Sequence, residues 1–522
     1  MLKHTNYSKK QLIKNFLVTA KKYAVETGCP AYKMPRRYLR KNSKIPTAHY
    51  ELVWETYGAV KEAAFPDYRA NTAENVNKLK ELRNNATGFA TPNQKRFIVT
   101  SVVEGASINK KFLAAIRHYC KVKDATPVFL WSKGLRKNDR FTDDVLREVA
   151  PLYTSFIFSD KLIAKDLCLR AQQKDPLSGL DYLAAGDSSL IIASTKHAYR
   201  SLPRPMGKVP HSLWATATLS EPEYKETATD SIASLSNTLG ALIVEIESPT
   251  RFYIRPVTFI KDGFVDLGIK YTATSAKKVR CLGAILGDLH IPEEDSNFVA
   301  GAIDQINTLK AEKVFIHDLL SINSVNHHNL HEYLTRAKMP TTDLNTELQL
   351  CKTLVDKYTK QIHKKANIFV VASNHDAFIK KWLNTGEFIK DTQNARIGAE
   401  FFIKCLDGIN PVEEYLHNKR LSFLKARQSL VVGGWECGFH GHAGSGGSRG
   451  SLSNFAKTFE KIIVAHHHAP GISKGAIQVG TLSRLNLPYL SGGTTAWLPA
   501  SAFIYEDGSA QLITHIDKKW KL

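Results

Sequence analysis

Beyond residue 95 the chain is built from short apolar runs separated by polar or glycine-containing breaks. Runs so brief, rich in β-branched and aromatic residues, predict buried strands. They fall at 97–103, 128–131, 155–158, 190–193, 241–246 and 252–257, and again at 281–286, 314–316, 368–372, 429–432 and 462–465. Three more, at 475–480, 500–505 and 511–516, predict strands that close the chain. Helical periodicity interrupts them over 109–120 and 342–364. In the second helix Leu344, Leu348, Cys351, Val355, Tyr358 and Ile362 share one stripe, which is core rather than a site. Strands alternating with helices predict an α/β architecture.

The first 94 residues follow a different pattern. Ser8 can cap a helix running to Glu26, with Leu12, Phe16, Thr19 and Tyr23 on one side. Arg36, Arg37 and Arg40 then stand among Tyr32, Tyr38 and further lysines, and Thr47 opens another helix. Polar composition from Asn71 predicts a helix and then a linker over 84–93. Three parts are therefore expected: a basic helical module over 1–94, an α/β accessory domain over 95–276, and a further α/β domain over 277–522. The accessory domain carries neither a G-x-G-x-x-G nor a P-loop pattern, so it reads as structural or substrate-positioning. Pro203, Pro205 and Pro210 mark an extended loop within it that also holds Arg200, Arg204 and Lys208.

Charge sharpens this division. The net charge is +22, and residues 1–50 hold twelve Lys and Arg against Glu26 alone, half of the excess. Such a balance favours a polyanionic partner, and basic clusters interleaved with aromatics fit a module that grips nucleic-acid phosphates without reading bases. A helical docking module would share this pattern, and a solvated basic face is the plainer alternative. Seven cysteines without any C-x-x-C spacing fit reduced thiols and a cytoplasmic location. No apolar leader and no run of membrane-spanning length is present, so neither secretion nor membrane insertion is expected.

Five of the predicted strands end in potential ligands: Asp288-Leu289-His290, Asp318, Asn374-His375-Asp376, His440-Gly441-His442 and His466-His467-His468. Ligands collect beyond the carboxyl ends of strands in an open α/β sheet, so these endings are expected to converge. Carboxylate, imidazole and amide donors without thiolate suit Mn2+, Fe2+, Zn2+ or Co2+. The donors exceed one tetrahedral site, which implies more than one cation. His327, His328 and His331 form a further cluster, read as a surface feature because no carboxylate lies at helical spacing.

Taken in order over residues 280–515, these motifs resemble the calcineurin-like metallophosphoesterase superfamily, whose signature runs D-x-H, G-D, G-N-H-D/E, a lone His, then G-H-x-H. The stretch from His440 to Ser451, followed by Ala465 to Pro470, is similar to a phage-encoded, DNase-type branch of it. The resemblance implies a β-sandwich flanked by helices over 277–522. It implies two divalent cations, Mn2+ favoured and Fe2+, Zn2+, Co2+ or Mg2+ admitted, with Asp288, His290 and His468 on the first, Asn374, His440 and His466 on the second, and Asp318 bridging. It makes His375, held by Asp376, the catalytic histidine. Three of the family's glycines are replaced, by His317, Ser373 and Ala465. A side chain at a tight turn costs about 1 kcal/mol, so these positions are expected to be strained.

The activity implied is phosphoester hydrolysis, with a hydroxide placed in line with phosphorus and cations neutralising the transition state. Lys380, Lys381 and Arg449 are placed to meet phosphate oxygens, with Arg36, Arg37 and Arg40 as further nucleic-acid contacts. The basic module and the similarity to the phage branch favour a DNase over a protein or nucleotide phosphatase of the same superfamily. A non-catalytic, metal-stabilised nucleic-acid-binding protein is the third reading. Related nucleases dimerise, which leaves a homo-oligomer open.

Overall fold

A computed structural model describes the chain except residues 1–6, 28, 30, 32–33, 55–56, 66–85, 137–138, 185–187, 206–210 and 488–492. It forms two compact units, 1–86 and 87–522.

In the first unit the expected helix is Lys9–Thr27. Ser8 and Gln11 cap it reciprocally: the Gln11 amide donates to Ser8 Oγ at 3.2 Å and the Ser8 amide to Gln11 Oε1 at 2.8 Å. Helices Arg36–Asn42, Thr47–Glu51 and Tyr57–Ala64 follow. Leu12, Phe16, Ala20, Leu39, Tyr50 and Val60 form their common core. The polar helix expected from Asn71 lies outside the described residues.

The second unit is mixed α/β. Its six-stranded sheet runs in the order Leu421–Phe423, Asn367–Val370, Lys313–Ile316, Cys281–Ile285, Ala500–Tyr505, Ala510–Thr514. The first four strands are mutually parallel and the closing pair is antiparallel. Parallel neighbours need crossovers, and the sequence supplies them. Helix Ser296–Leu309, capped by Asp295, joins the first such pair, and Leu344–Gln361, capped by Asp343, joins the next. Both helices cover one face of the sheet, burying Leu344, Leu348, Val355, Ile303 and Ile306 against Val314, Ile316 and Ile368.

The other face of the sheet is not covered by helices. Ile285, Phe315, Ala502, Ile504 and Leu512 there share a core with Val432, Ile463, Ile472 and Ile477 of an eleven-stranded sheet, and with Phe97, Val99, Leu242 and Val244 of an eight-stranded one. The six strands expected between 97 and 257 form close to where the apolar runs put them, with Leu162–Lys165, His197–Leu202 and His211–Thr216 added between them.

The expected domain limits do differ. Thr87–Phe89, read as linker, is a strand paired in parallel with Ser155–Ser159; its Gly88 lies so close to the Phe156 ring that a Cβ would come within 2.5 Å. The limit at 276/277 falls inside one unit, because His197–Leu202 pairs antiparallel with Gly471–Ser473, Gly471 opposite Arg200, and makes a single sheet of segments from both expected domains. No periodicity within either segment carries that pairing.

One buried charge network ties the sheets. Arg255 donates to Asp266 at 2.5 and 2.9 Å and to Glu245 at 2.8 Å, all three within 4% of full burial. Gln511, on the last strand, donates to the same Asp266 at 3.1 Å. Removing one member of such a network strands a buried charge. Arg255→Met is therefore expected to destabilise the second unit by about 3–5 kcal/mol in urea denaturation; a loss below about 1 kcal/mol would contradict this role.

Candidate metal centre

Three donor-bearing turns leave the six-stranded sheet, after Cys281–Ile285, Lys313–Ile316 and Asn367–Val370. The other two leave the eleven-stranded sheet. The run at 429–432 forms only Val431–Val432, which turns back into Trp435–Glu436 before reaching His440. Ile462–Val464 lies parallel to Trp435–Glu436 and leads to His466. The donors thus converge from two facing sheets, not along one open crevice. A two-residue hairpin is too short for a run of apolar residues to announce.

A close backbone approach brings the sheet ends together. A Cβ on Gly287 would lie 2.7 Å from the backbone of Gly480, so only glycine allows the contact. The Asp288 amide then donates to the Gly480 carbonyl at 3.3 Å, and Thr481 Oγ1 to the Asp288 carbonyl at 3.0 Å.

The side chains meet at one place. His290 Nε2 lies 2.9 Å from His468 Nε2, and His468 Nε2 3.1 Å from Asp288 Oδ2. His440 Nε2 lies 3.1 Å from Asp318 Oδ2 and 3.0 Å from Asn374 Oδ1. Two overlapping groups result, Asp288, His290, Asp318 and His468, and Asp318, His440 and His466, each able to hold a metal ion. Asp318 belongs to both. All seven expected ligands are therefore brought together.

The donor atoms fit a cation better than they fit each other. Two imidazole nitrogens at 2.9 Å can share at most one proton, and Asp288 Oδ1 and Asp318 Oδ1 are buried without a hydrogen-bond donor among the described residues. Carboxylates are not left so unless something positive compensates them. The backbone agrees: His290, Asp318, His466 and His468 all take positive φ, between 39° and 77°. Strain of this kind collects at functional sites. It falls on the ligands themselves; His317, Ser373 and Ala465 have negative φ, so the strain expected there is absent.

Electrostatics follow from this packing. Burial opposes charge on His440, but Asp318 and Asp288 outweigh it and hold its pKa up at about 9. Burial pushes His290 well below its ordinary value, and burial with nearby His440 pushes His466 down to about 3. Burial would raise Asp318, but His440 and His375 bring it well below the carboxylate range.

His375 differs from expectation in its partner. Its Nδ1 meets the Ser321 carbonyl at 2.9 Å, while Asp376 Oδ2 accepts from the Ser373 amide at 2.9 Å. Asp376 thus shapes the turn carrying Asn374 and His375 and does not hold the imidazole. The His375 ring lies 4.5 Å from that of His290. Lys380 and Lys381 are exposed on helix Asp376–Asn384, and Arg449 is exposed in the glycine-rich loop. Arg36, Arg37 and Arg40 are exposed in the first unit, where Arg36 pairs with Glu51.

Of the neighbours, Ser321 carried no sequence signal and His317 stood out only as the residue in a family glycine's place. Trp497, which resembles an aromatic that often precedes the final strands in the phage branch, packs edge-on to His468 at 4.1 Å. His327 and His328 flank Phe378, whose other neighbour is His375 at 4.6 Å, so this cluster lies beside the centre.

The molecule is thus a mixed α/β protein with a buried aspartate and histidine cluster able to hold metal. It is similar to Protein A1 of Escherichia phage T5, with 25% identity over 459 residues, covering 80% of this chain and 81% of that protein. A phage relative agrees with the phage-type resemblance of the motifs. No family model matches the chain. Among the described residues no helix is long and apolar enough to cross a membrane.

Because His440 keeps a proton up to about pH 9 in the cation-free chain, cation binding at neutral pH must expel it. Mn2+ affinity is therefore expected to rise with pH from 6 to 9, by at most about tenfold per unit, with proton release in calorimetry. Affinity independent of pH would contradict the assignment.

Proposed function

We propose that the chain is a calcineurin-like metallophosphoesterase that hydrolyses DNA phosphodiesters with two divalent cations. The observation carrying this reading is Asp318, shared between two donor groups. The helix-covered sheet packed on a second sheet supports it, as does the similarity to a phage protein. Mixed imidazole and carboxylate donors favour Mn2+. Two such cations, when bound, supply the Lewis acidity that activates water and neutralises the non-bridging phosphate oxygens.

The chain's own groups do the rest. His375 donates its Nδ1–H to the Ser321 carbonyl, so that the imidazolium form can give its Nε2 proton to the leaving oxygen. Asp376 holds the turn so that Asn374 faces the cluster while His375 stands beside it. Lys380, Lys381 and Arg449 meet phosphate oxygens at the rim, and the basic helices of the first unit add nonspecific grip on a nucleic acid. A phage protein of this kind works in the host cytoplasm.

Purified protein with Mn2+ is expected to degrade linear DNA, and Asp318→Ala to abolish this. His375→Gln should lower the rate by about 10²–10⁴-fold while cation binding persists. Activity should fall steeply with salt as phosphate contacts are lost. Hydrolysis of a small phosphomonoester that salt leaves unchanged, with DNA intact, would instead make the chain a phosphatase.

A further inference from the structure

His440 directs Nε2 at Asn374 and Asp318, at 3.0 and 3.1 Å. If that nitrogen gives its lone pair to a cation, the ring proton must sit on Nδ1, and a buried N–H needs an acceptor. Two atoms face it: His317 Nδ1 at 3.4 Å and Asp288 Oδ1 at 3.8 Å. Only the first is within reach of a hydrogen bond.

His317 is fully buried, and its ring lies 28° from parallel to that of His440 with centroids 5.5 Å apart. With its proton on Nε2, His317 offers the lone pair of Nδ1 to that N–H. That Nε2 meets no partner among the described residues. A buried unpaired N–H is costly, and a leucine or phenylalanine would fill the space without it. The imidazole therefore does something that volume alone does not. Metal-bound histidines generally pass their second N–H to an outer acceptor, which fixes tautomer and ring orientation.

We infer that His317 is a positioning residue: it accepts the Nδ1 proton of His440 and turns His440 Nε2 toward the cation shared with Asn374 and His466. This rests on the metal-centre reading, and it gives the residue standing in a family glycine's place a task.

The test is Co2+ binding to the full chain, by calorimetry and by the visible ligand-field spectrum, with melting measured in chelator. Phenylalanine at 317 keeps volume without an acceptor, and asparagine keeps an acceptor near Nδ1. His317→Phe is expected to weaken one of the two ions by about 10–100-fold and change its spectrum, leaving the other intact. His317→Asn should stay within about threefold of the parent. His317→Leu replaces the phenylalanine variant if that chain does not fold. Parent-like binding of both ions by His317→Phe or His317→Leu would overturn the inference, as would equal loss in His317→Asn. Failure of the parent chain itself to bind Co2+ would instead overturn the metal-centre reading beneath it.

Discussion

The structure depends on one electrostatic constraint: two carboxylates, Asp288 and Asp318, are withdrawn from water at the place where two sheets meet. Burying an ion costs several kcal/mol unless charge and hydrogen bonds compensate it. Here imidazoles do part of that work, yet one oxygen of each carboxylate meets no donor among the described residues. A cation held by these donors would remove the imbalance, and the surrounding backbone is bent around them. The left-handed residues at 290, 318, 466 and 468 aim side chains that an ordinary strand end would point elsewhere. The Gly287–Gly480 approach then locks the two sheet ends at the distance the donors require.

The same constraint explains the layers. Donors from one sheet alone would line an open crevice. Donors from two facing sheets enclose the cluster, and the shared apolar core beneath it keeps both sheets in register. The segments from 87 to 276 enter this core directly instead of forming a separate body. Their strands extend one sheet and build another, and the Arg255 network fastens the latter to the closing strand through Gln511. A centre that must hold several atoms within a few tenths of an ångström gains from such rigid backing.

Local pattern made much of this legible. The expected strands and the helices Lys110–Lys123 and Leu344–Gln361 follow from apolar runs and periodicity, whereas Leu162–Lys165, His211–Thr216 and the helix Ser296–Leu309 lie outside them. The ligands follow from their order and chemistry, because strand ends put them where side chains can converge. What stayed hidden is non-local. The pairing of His197–Leu202 with Gly471–Ser473 and the hairpin before His440 have no signature in their own residues. The resemblance sets Asp376 against His375, whereas the turn sends that carboxylate back to the Ser373 amide and leaves His375 to the Ser321 carbonyl. At His317 and Ala465 the left-handed residue is the next one, Asp318 and His466, so the side chain there costs nothing; at Ser373 neither it nor Asn374 has positive φ. His327 and His328 looked peripheral because only Phe378, a core residue of a later helix, brings them beside His375.

A crystal structure with Mn2+ at the manganese absorption edge tests the central claim most directly. Two anomalous peaks about 3.5–4 Å apart are expected, one among Asp288, His290, Asp318 and His468, the other among Asp318, Asn374, His440 and His466. A single peak, or peaks that do not share Asp318, would contradict it.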